Sequence, residues 1–269
     1  MGRKACGVKK ITWAFLVSRY KEPSTKEVSM GYKEYVVTVY DGGDKYWHQN
    51  DELHRIDGPA VEYANGDKYW YQNGKSHRLD GPAVERANGD RRWYQNGKLH
   101  RLDGPTIEYA NGTRHWHQNG KSHRLDGPAT EYPNGDKHWY QNGKLHRLDG
   151  PSVECANGDG RWYQNGKLHR LDGPAVEWGN GNKHWFQNGE RHRLDGPAIE
   201  YVSGTKGWYQ NGKLHRLDGP AIEYVNGDKS WYINGVKFTE REHAARTAKS
   251  VCNKTVTIDG VEYVLTLKK

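Results

Sequence analysis

The sequence predicts an all-β fold: an elongated, single-layer, solenoid-like array of antiparallel β-hairpin repeats, capped by β-strands at its start and by a short helix plus a hairpin at its end. Three observations carry this. Tryptophan recurs at Trp47, Trp70, Trp93, Trp116, Trp139, Trp162, Trp185, Trp208 and Trp231, every gap being 23 residues. The unit W-Y-Q-N-G-K-L-H-R-L-D-G-P-A-V-E-Y-A-N-G-D-K-Y keeps its phase without insertion from Asp41 to Gly235. Hydrophobic residues make up 34% of the chain, too few for a thick core, while 11 Trp and 18 Tyr against three Phe supply large rings that bury area and keep a polar atom near water.

Three regions follow: an N-terminal β cap over residues 1–40, eight complete repeats with a truncated ninth over 41–236, and a C-terminal cap over 237–269. In the leader, apolar Ile11 to Val17 and alternating Tyr35, Val37 and Val39 read as two strands around a polar loop at Lys21 to Lys33 that cover the first repeat. In the tail, Thr239 and Glu242 form a T-x-x-E capping box ahead of a short helix over His243 to Lys249. Thr255 to Ile258, an Asp259-Gly260 turn, and Val261 to Leu267 then form a hairpin.

Within a repeat, Pro59 to Tyr63 and Lys68 to Gln72 flank Asn65-Gly66, which reads as a type I′ turn and sets Val61 opposite Trp70. Trp and Val/Ile then share the packed face. A third strand at Lys75 to Arg78 is expected to be absent. Three ladder strands per unit would make successive units run in opposite directions and place identical residues in different settings. His77 to Pro82 therefore belongs to a connection, every H-R-x-D-G-P string lies on one rim, and each unit advances roughly 10 Å.

The net charge of +8 is not in the array: residues 41–236 hold 26 Lys+Arg and 26 Asp+Glu, while 1–40 carry eight against three and 237–269 seven against four, giving +5 and +3. Bulk attraction of a nucleic acid thus belongs to the basic ends. Cys6, Cys155 and Cys252 are odd in number and widely spaced, which suggests no disulfide framework and a reducing, cytoplasmic setting. Arg19 and Lys21 stand where a signal-peptide cleavage site would need small residues, and no stretch is long and apolar enough for a membrane span.

The phrases N-G-D-K-x-W and W-Y-x-N-G-K, carried by Asn65 to Asp67 and Lys68 to Lys75, together with the 23-residue period, resemble the MORN repeat and its bacterial and viral variants over residues 41–236. The resemblance implies one hairpin per repeat and a scaffold role. The H-R-x-D-G-P-A strings are similar to those of phage and large-virus proteins, which implies a viral origin and a host cytoplasm.

Two sets of candidate binding residues emerge. The first is the Arg row, including Arg78, Arg101, Arg124, Arg147, Arg170 and Arg193, which either grips phosphates or carboxylates or pairs internally with the equally regular Asp and Glu rows. The second is the variable position before Trp, where Arg92, His115, His138, Arg161 and His184 form a polar, cationic band suited to a nucleotide, sugar or acidic peptide. The His row from His54 to His215 is expected to hydrogen-bond backbone; spacing near 10 Å is too long for one shared metal ion. Asp80 before Gly81-Pro82 reads as a turn former, with Gly81 supplying conformational freedom. A repeat multiplies its His, Arg and Asp identically, whereas catalysis needs one singular constellation, so no enzyme activity and no cofactor are expected. The expectation is a non-enzymatic binding scaffold for a host macromolecule, such as a protein, or for an anionic small molecule; nucleic-acid binding through the ends and a structural or assembly role are the alternatives.

Overall fold

A computed structural model describes residues 8–15, 33–251, 255–258 and 261–264. The chain divides into two units: residues 1–133 with 141–143, and 134–140 with 144–269. The array read as one stretch from 41 to 236 is thus shared between them. Each unit is an antiparallel ladder to which every repeat adds two short strands.

In the first unit, Val8–Phe15 pairs with Lys33–Tyr40, which pairs with Lys45–Gln49, and the ladder continues through Val61–Glu62, Lys68–Tyr69 and Val84–Glu85. The leader strands therefore cover the first repeat as expected. Tyr35 and Val37 point inward and are buried. The Lys21 to Lys33 loop lies outside the described residues, apart from Lys33, as do Val17, Arg19, Cys6 and Cys252.

In the second unit the ladder runs from Lys137–His138 and Val153–Glu154 to Lys229–Ile233 and Val236–Phe238. The helix Glu240–Val251 follows. Its expected capping box is present: Glu242 Oε2 accepts from the Thr239 N–H at 2.9 Å, and Thr239 Oγ1 accepts from the Glu242 N–H at 3.3 Å. Thr255–Ile258 pairs with Val261–Val264, with Ile258 opposite Val261. The Asp259-Gly260 turn and the strand's expected extension to Leu267 fall outside the described residues.

Two features of the repeat differ from the expectation, and both trace to its turns. Asn73-Gly74 is the two-residue turn its sequence signals, with φ of 49° and 67°, and it joins Tyr71–Gln72 to Lys75–Ser76. A third short strand therefore does exist. It pairs within its own repeat as a side hairpin and stays out of the ladder, so the argument from parity holds for the ladder alone. Asn65-Gly66 is different: only Gly66 has positive φ, at 96°, and the Tyr63 carbonyl accepts from Gly66 N–H while Tyr63 N–H donates to Asp67. The loop is three residues, Ala64-Asn65-Gly66, with glycine in the left-handed region.

That extra residue shifts the register by one. Val61 faces Tyr69, and Glu62 faces Lys68. Because neighbouring side chains alternate faces, Val/Ile share a face with the residue before Trp, and Trp lies on the other face with Glu. The core is correspondingly thin. Val61, Val84, Ile107, Val153, Val176 and Ile199 are buried, and the residue after the Pro of each D-G-P string is fully buried: Ala60, Ala83, Thr106, Ala129, Ser152, Ala175, Ala198 and Ala221. The carbonyl of that small residue accepts from the preceding Trp N–H at 2.8 Å throughout, so a larger side chain would have no room beside the Trp strand. Where it is polar it finds partners: Ser152 Oγ donates to the Tyr163 carbonyl and accepts from its N–H, and Thr106 Oγ1 lies 2.7 Å from His117 Nδ1.

Repeats are also stitched by a side chain that the sequence left unexplained. The Asp after the turn glycine accepts from a backbone N–H twenty residues on, as in Asp44 to Ala64, Asp67 to Ala87 and Asp136 to Ala156, at 2.7–2.8 Å. The N–H holds the Asp136 carboxyl below the usual range. Where this Asp is replaced by Thr113, the residue twenty positions later is Pro133, which has no N–H to offer.

Candidate interaction rim

Each H-R-x-D-G-P string closes around its arginine. The Arg78 guanidinium lies 4.1 Å from the centre of the Trp70 ring, its Nε donates to Asp80 at 3.0 Å, and NH1 donates to the Pro82 carbonyl at 3.2 Å and Glu85 at 2.9 Å. The same set recurs at Arg101, Arg124, Arg147, Arg170 and Arg193, with Arg–Trp distances of 4.1–4.2 Å. Each Arg is about four-fifths buried, and its charge is spent on two carboxylates of its own repeat and one aromatic face.

The neighbouring residues follow from this clamp. Asp80 gives its carboxylate mainly to the Arg78 side chain, which holds its pKa below the usual range; the turn is a secondary role. Gly81 does not adopt positive φ. It is glycine because a Cβ there would stand 2.8 Å from Arg78 Cζ, and the guanidinium crosses the bare backbone. The His row makes the expected backbone bond, and makes it across repeats: His54 Nδ1 accepts from the Asn73 N–H at 3.1 Å, and His77 Nδ1 from Asn96 at 3.2 Å. The same Nδ1 also lies 2.8 Å from Asn73 Oδ1 in the first case and 3.0 Å from Asn96 Oδ1 in the second, so each ring is held by both the backbone and the side chain of that Asn.

The variable band is packed rather than open. Arg92 lies over Tyr109, His115 Nδ1 is 3.1 Å from Thr130 Oγ1, and His115 meets Tyr109 and Tyr132 edge to face. His184 is buried against Trp178, with ring centres 4.4 Å apart, and against Tyr201. Burial pushes the pKa of His184 and of His117 down to about 4, and lowers that of His138. Arg161 sits 3.9 Å from Asp159. Arg92, His115, His138 and Arg161 are half-buried and His184 is buried, so the band meets partners within the fold. Arg92, His115, His138, Arg161 and His184 share the face of Val and Ile because of the one-residue register shift.

The surface that the sequence reading overlooked is the x of H-R-x-D-G-P. It is Leu79, Leu102, Leu125, Leu148, Leu171 and Leu194, each between 75% and 80% exposed, with Ile56 and Leu217 closing the series. Beside each of these leucines stands an Asp whose side chain is 83–85% exposed. In the first unit, two successive strings, Arg101 to Gly104 and Arg124 to Asp126, line a groove of about 500 Å³ together with Trp116, Gln118 and His123. Within each unit, large aliphatics held in water at every repeat form an apolar row of the kind that marks interaction surfaces. Aliphatic identity in all eight copies, in a connection where polar residues are the default, was the signal available in the sequence.

Cys155, where five other repeats have Tyr, is half-buried with its thiol pKa raised by burial. Among the described residues no helix is long and apolar enough to cross a membrane, and no group of three His, Cys, Asp or Glu is arranged to hold a metal ion. A scan against models of known protein families and a search of curated proteins return no match for the chain.

Proposed function

We propose that this chain is a non-enzymatic, MORN-like repeat scaffold that binds a protein partner through its leucine–aspartate rim. The observation that carries the reading is the division of labour within each string: arginine is consumed internally, while leucine and aspartate face water. An anionic ligand needs unpaired cations, and the Arg row supplies none that lacks a carboxylate of its own. A row of leucines flanked by carboxylates instead suits a partner that offers apolar side chains and Lys or Arg. The 23-residue period supports a scaffold, since each repeat presents the same two side chains. Repetition of the same His, Arg and Asp argues against a catalytic role.

The test is native mass spectrometry of the full chain purified from the cells that express it, beside the Leu102→Ser/Leu125→Ser variant. The reading expects a co-purified protein that the variant loses while its melting temperature stays within about 2 °C, because exposed substitutions shift stability by only about 0.5 kcal/mol. A co-purified nucleotide or RNA, or a protein retained by the variant, would overturn it.

A further inference from the structure

In the second unit the least exposed rim leucine is the one whose string meets the C-terminal helix. Leu217 is 46% exposed, against 75–76% for Leu148, Leu171 and Leu194 in the same unit. What distinguishes its repeat is the helix Glu240–Val251. His243 of that helix is buried, and its Nε2 donates to the carbonyl of Arg216, the residue before Leu217, at 2.7 Å. The R-L-D string of the last repeat thus has a helix seated on it. Twelve residues of helix reach about 18 Å, less than two repeats, and Leu194 remains exposed.

Resting on the protein-binding reading above, we propose that the uncovered rim of the second unit, at Leu148, Leu171 and Leu194, docks an amphipathic α-helix of a partner protein, with apolar residues recurring every seven and Lys or Arg flanking them. The pitch agrees. Two ladder strands per repeat set successive leucines roughly 10 Å apart, and seven helical residues rise about 10.5 Å. Charge agrees as well. Asp149, Asp172 and Asp195 each give Oδ1 to the neighbouring Arg Nε and remain 83–85% exposed, a carboxylate beside every leucine. A polyproline helix, rising about 9.3 Å per three residues, matches the pitch at least as well. The chain's own α-helix, seated through His243 on the Arg216 carbonyl of such a string, decides between them.

The test titrates the full chain with three fluorescein-labelled peptides and reads anisotropy. The first is a stapled three-heptad Leu/Lys helix, the second has the same composition with the leucines moved out of heptad spacing, and the third is a proline-rich peptide with Leu at every third position. The proposal expects the heptad helix to bind at least about tenfold more tightly than either control. It expects Leu148→Ser/Leu171→Ser/Leu194→Ser to cost at least about tenfold with melting unchanged, and added salt to weaken binding. Equal binding by the register-broken peptide, tighter binding by the proline-rich one, or indifference to the triple variant would overturn it. So would sedimentation showing a dimer that the triple variant dissociates, because the occupant would then be a second copy. If no peptide binds while the Leu-dependent partner is still recovered, the helix inference falls and the protein-binding reading stands.

Discussion

Thr113 and Pro133 offer a double-mutant cycle whose outcome the stitching of repeats fixes in advance. In other repeats an Asp carboxylate accepts from a backbone N–H twenty residues later, at 2.8 Å for Asp67 and Ala87 and at 2.9 Å for Asp90 and Ala110. Thr113→Asp with Pro133→Ala installs that pair in the one repeat where the donor is missing. Alone, Pro133→Ala frees the unfolded chain and costs about 0.4–1 kcal/mol. Alone, Thr113→Asp places a carboxylate at a buried position with no backbone donor, a cost of about 1–3 kcal/mol. Together the two groups meet in a charge-assisted bond, so the double variant recovers most of both losses, a coupling of about 2 kcal/mol. Guanidinium melts of the four proteins measure this globally. Amide exchange measures it locally: the new N–H at position 133 should exchange more slowly in the double variant than in Pro133→Ala. Additivity within about 0.5 kcal/mol would show that the Asp row does not bind one repeat to the next.

Three further outcomes follow from the same geometry. Arg170→Ala and Arg170→Lys should both cost about 2–3 kcal/mol in denaturant melts, because a Lys ammonium cannot stack on Trp162 while reaching Asp172, the Pro174 carbonyl and Glu177; a benign Lys would mean that charge alone matters there. Asp172→Asn, at an 85% exposed side chain, should leave the denaturant midpoint essentially unchanged, and a clear loss would show that the exposed partner carries the clamp. His117 and His184 titrate near 4 in the folded chain against 6.5 when free, so the unfolded chain takes up protons first, and the stability they hold at neutral pH is lost as pH falls from about 6.5 to about 4. His184→Tyr, which installs the residue found at Tyr46 and Tyr69, should flatten the fall in melting temperature over that window; an unchanged slope would place the acid sensitivity elsewhere.

The all-β hairpin array was legible because a 23-residue period without insertion forces every repeat into one setting. The capping box at Thr239 and Glu242 and the Asn73-Gly74 turn were legible for another reason: each is a local motif with its own geometry. The register was not. Asn65-Gly66 and Asn73-Gly74 share a dipeptide yet build loops of three and two residues, and the difference lies in bonds the dipeptide does not contain, such as Asp67 N–H to Asn65 Oδ1 and Ala64 N–H to Asp44 Oδ1. One residue of slip moved Arg92, His115, His138, Arg161 and His184 onto the face of the buried aliphatics. Internal pairing of the Arg row was open to charge balance, but the stacking of Arg78 on Trp70 across Gly81 needed the fold of the connection. The leucine row was visible as letters and overlooked as chemistry, since its meaning depends on exposure.

The measurement that bears most directly on the account is a photocrosslinking map of the full chain in the cells that express it, with a benzophenone amino acid placed in turn at Leu102 and Leu171 on the rim and at Tyr109 and Tyr201 on the opposite face. The account predicts protein adducts at Leu102 and Leu171 and none at the two tyrosines. Adducts at the tyrosines with none at the leucines would contradict it.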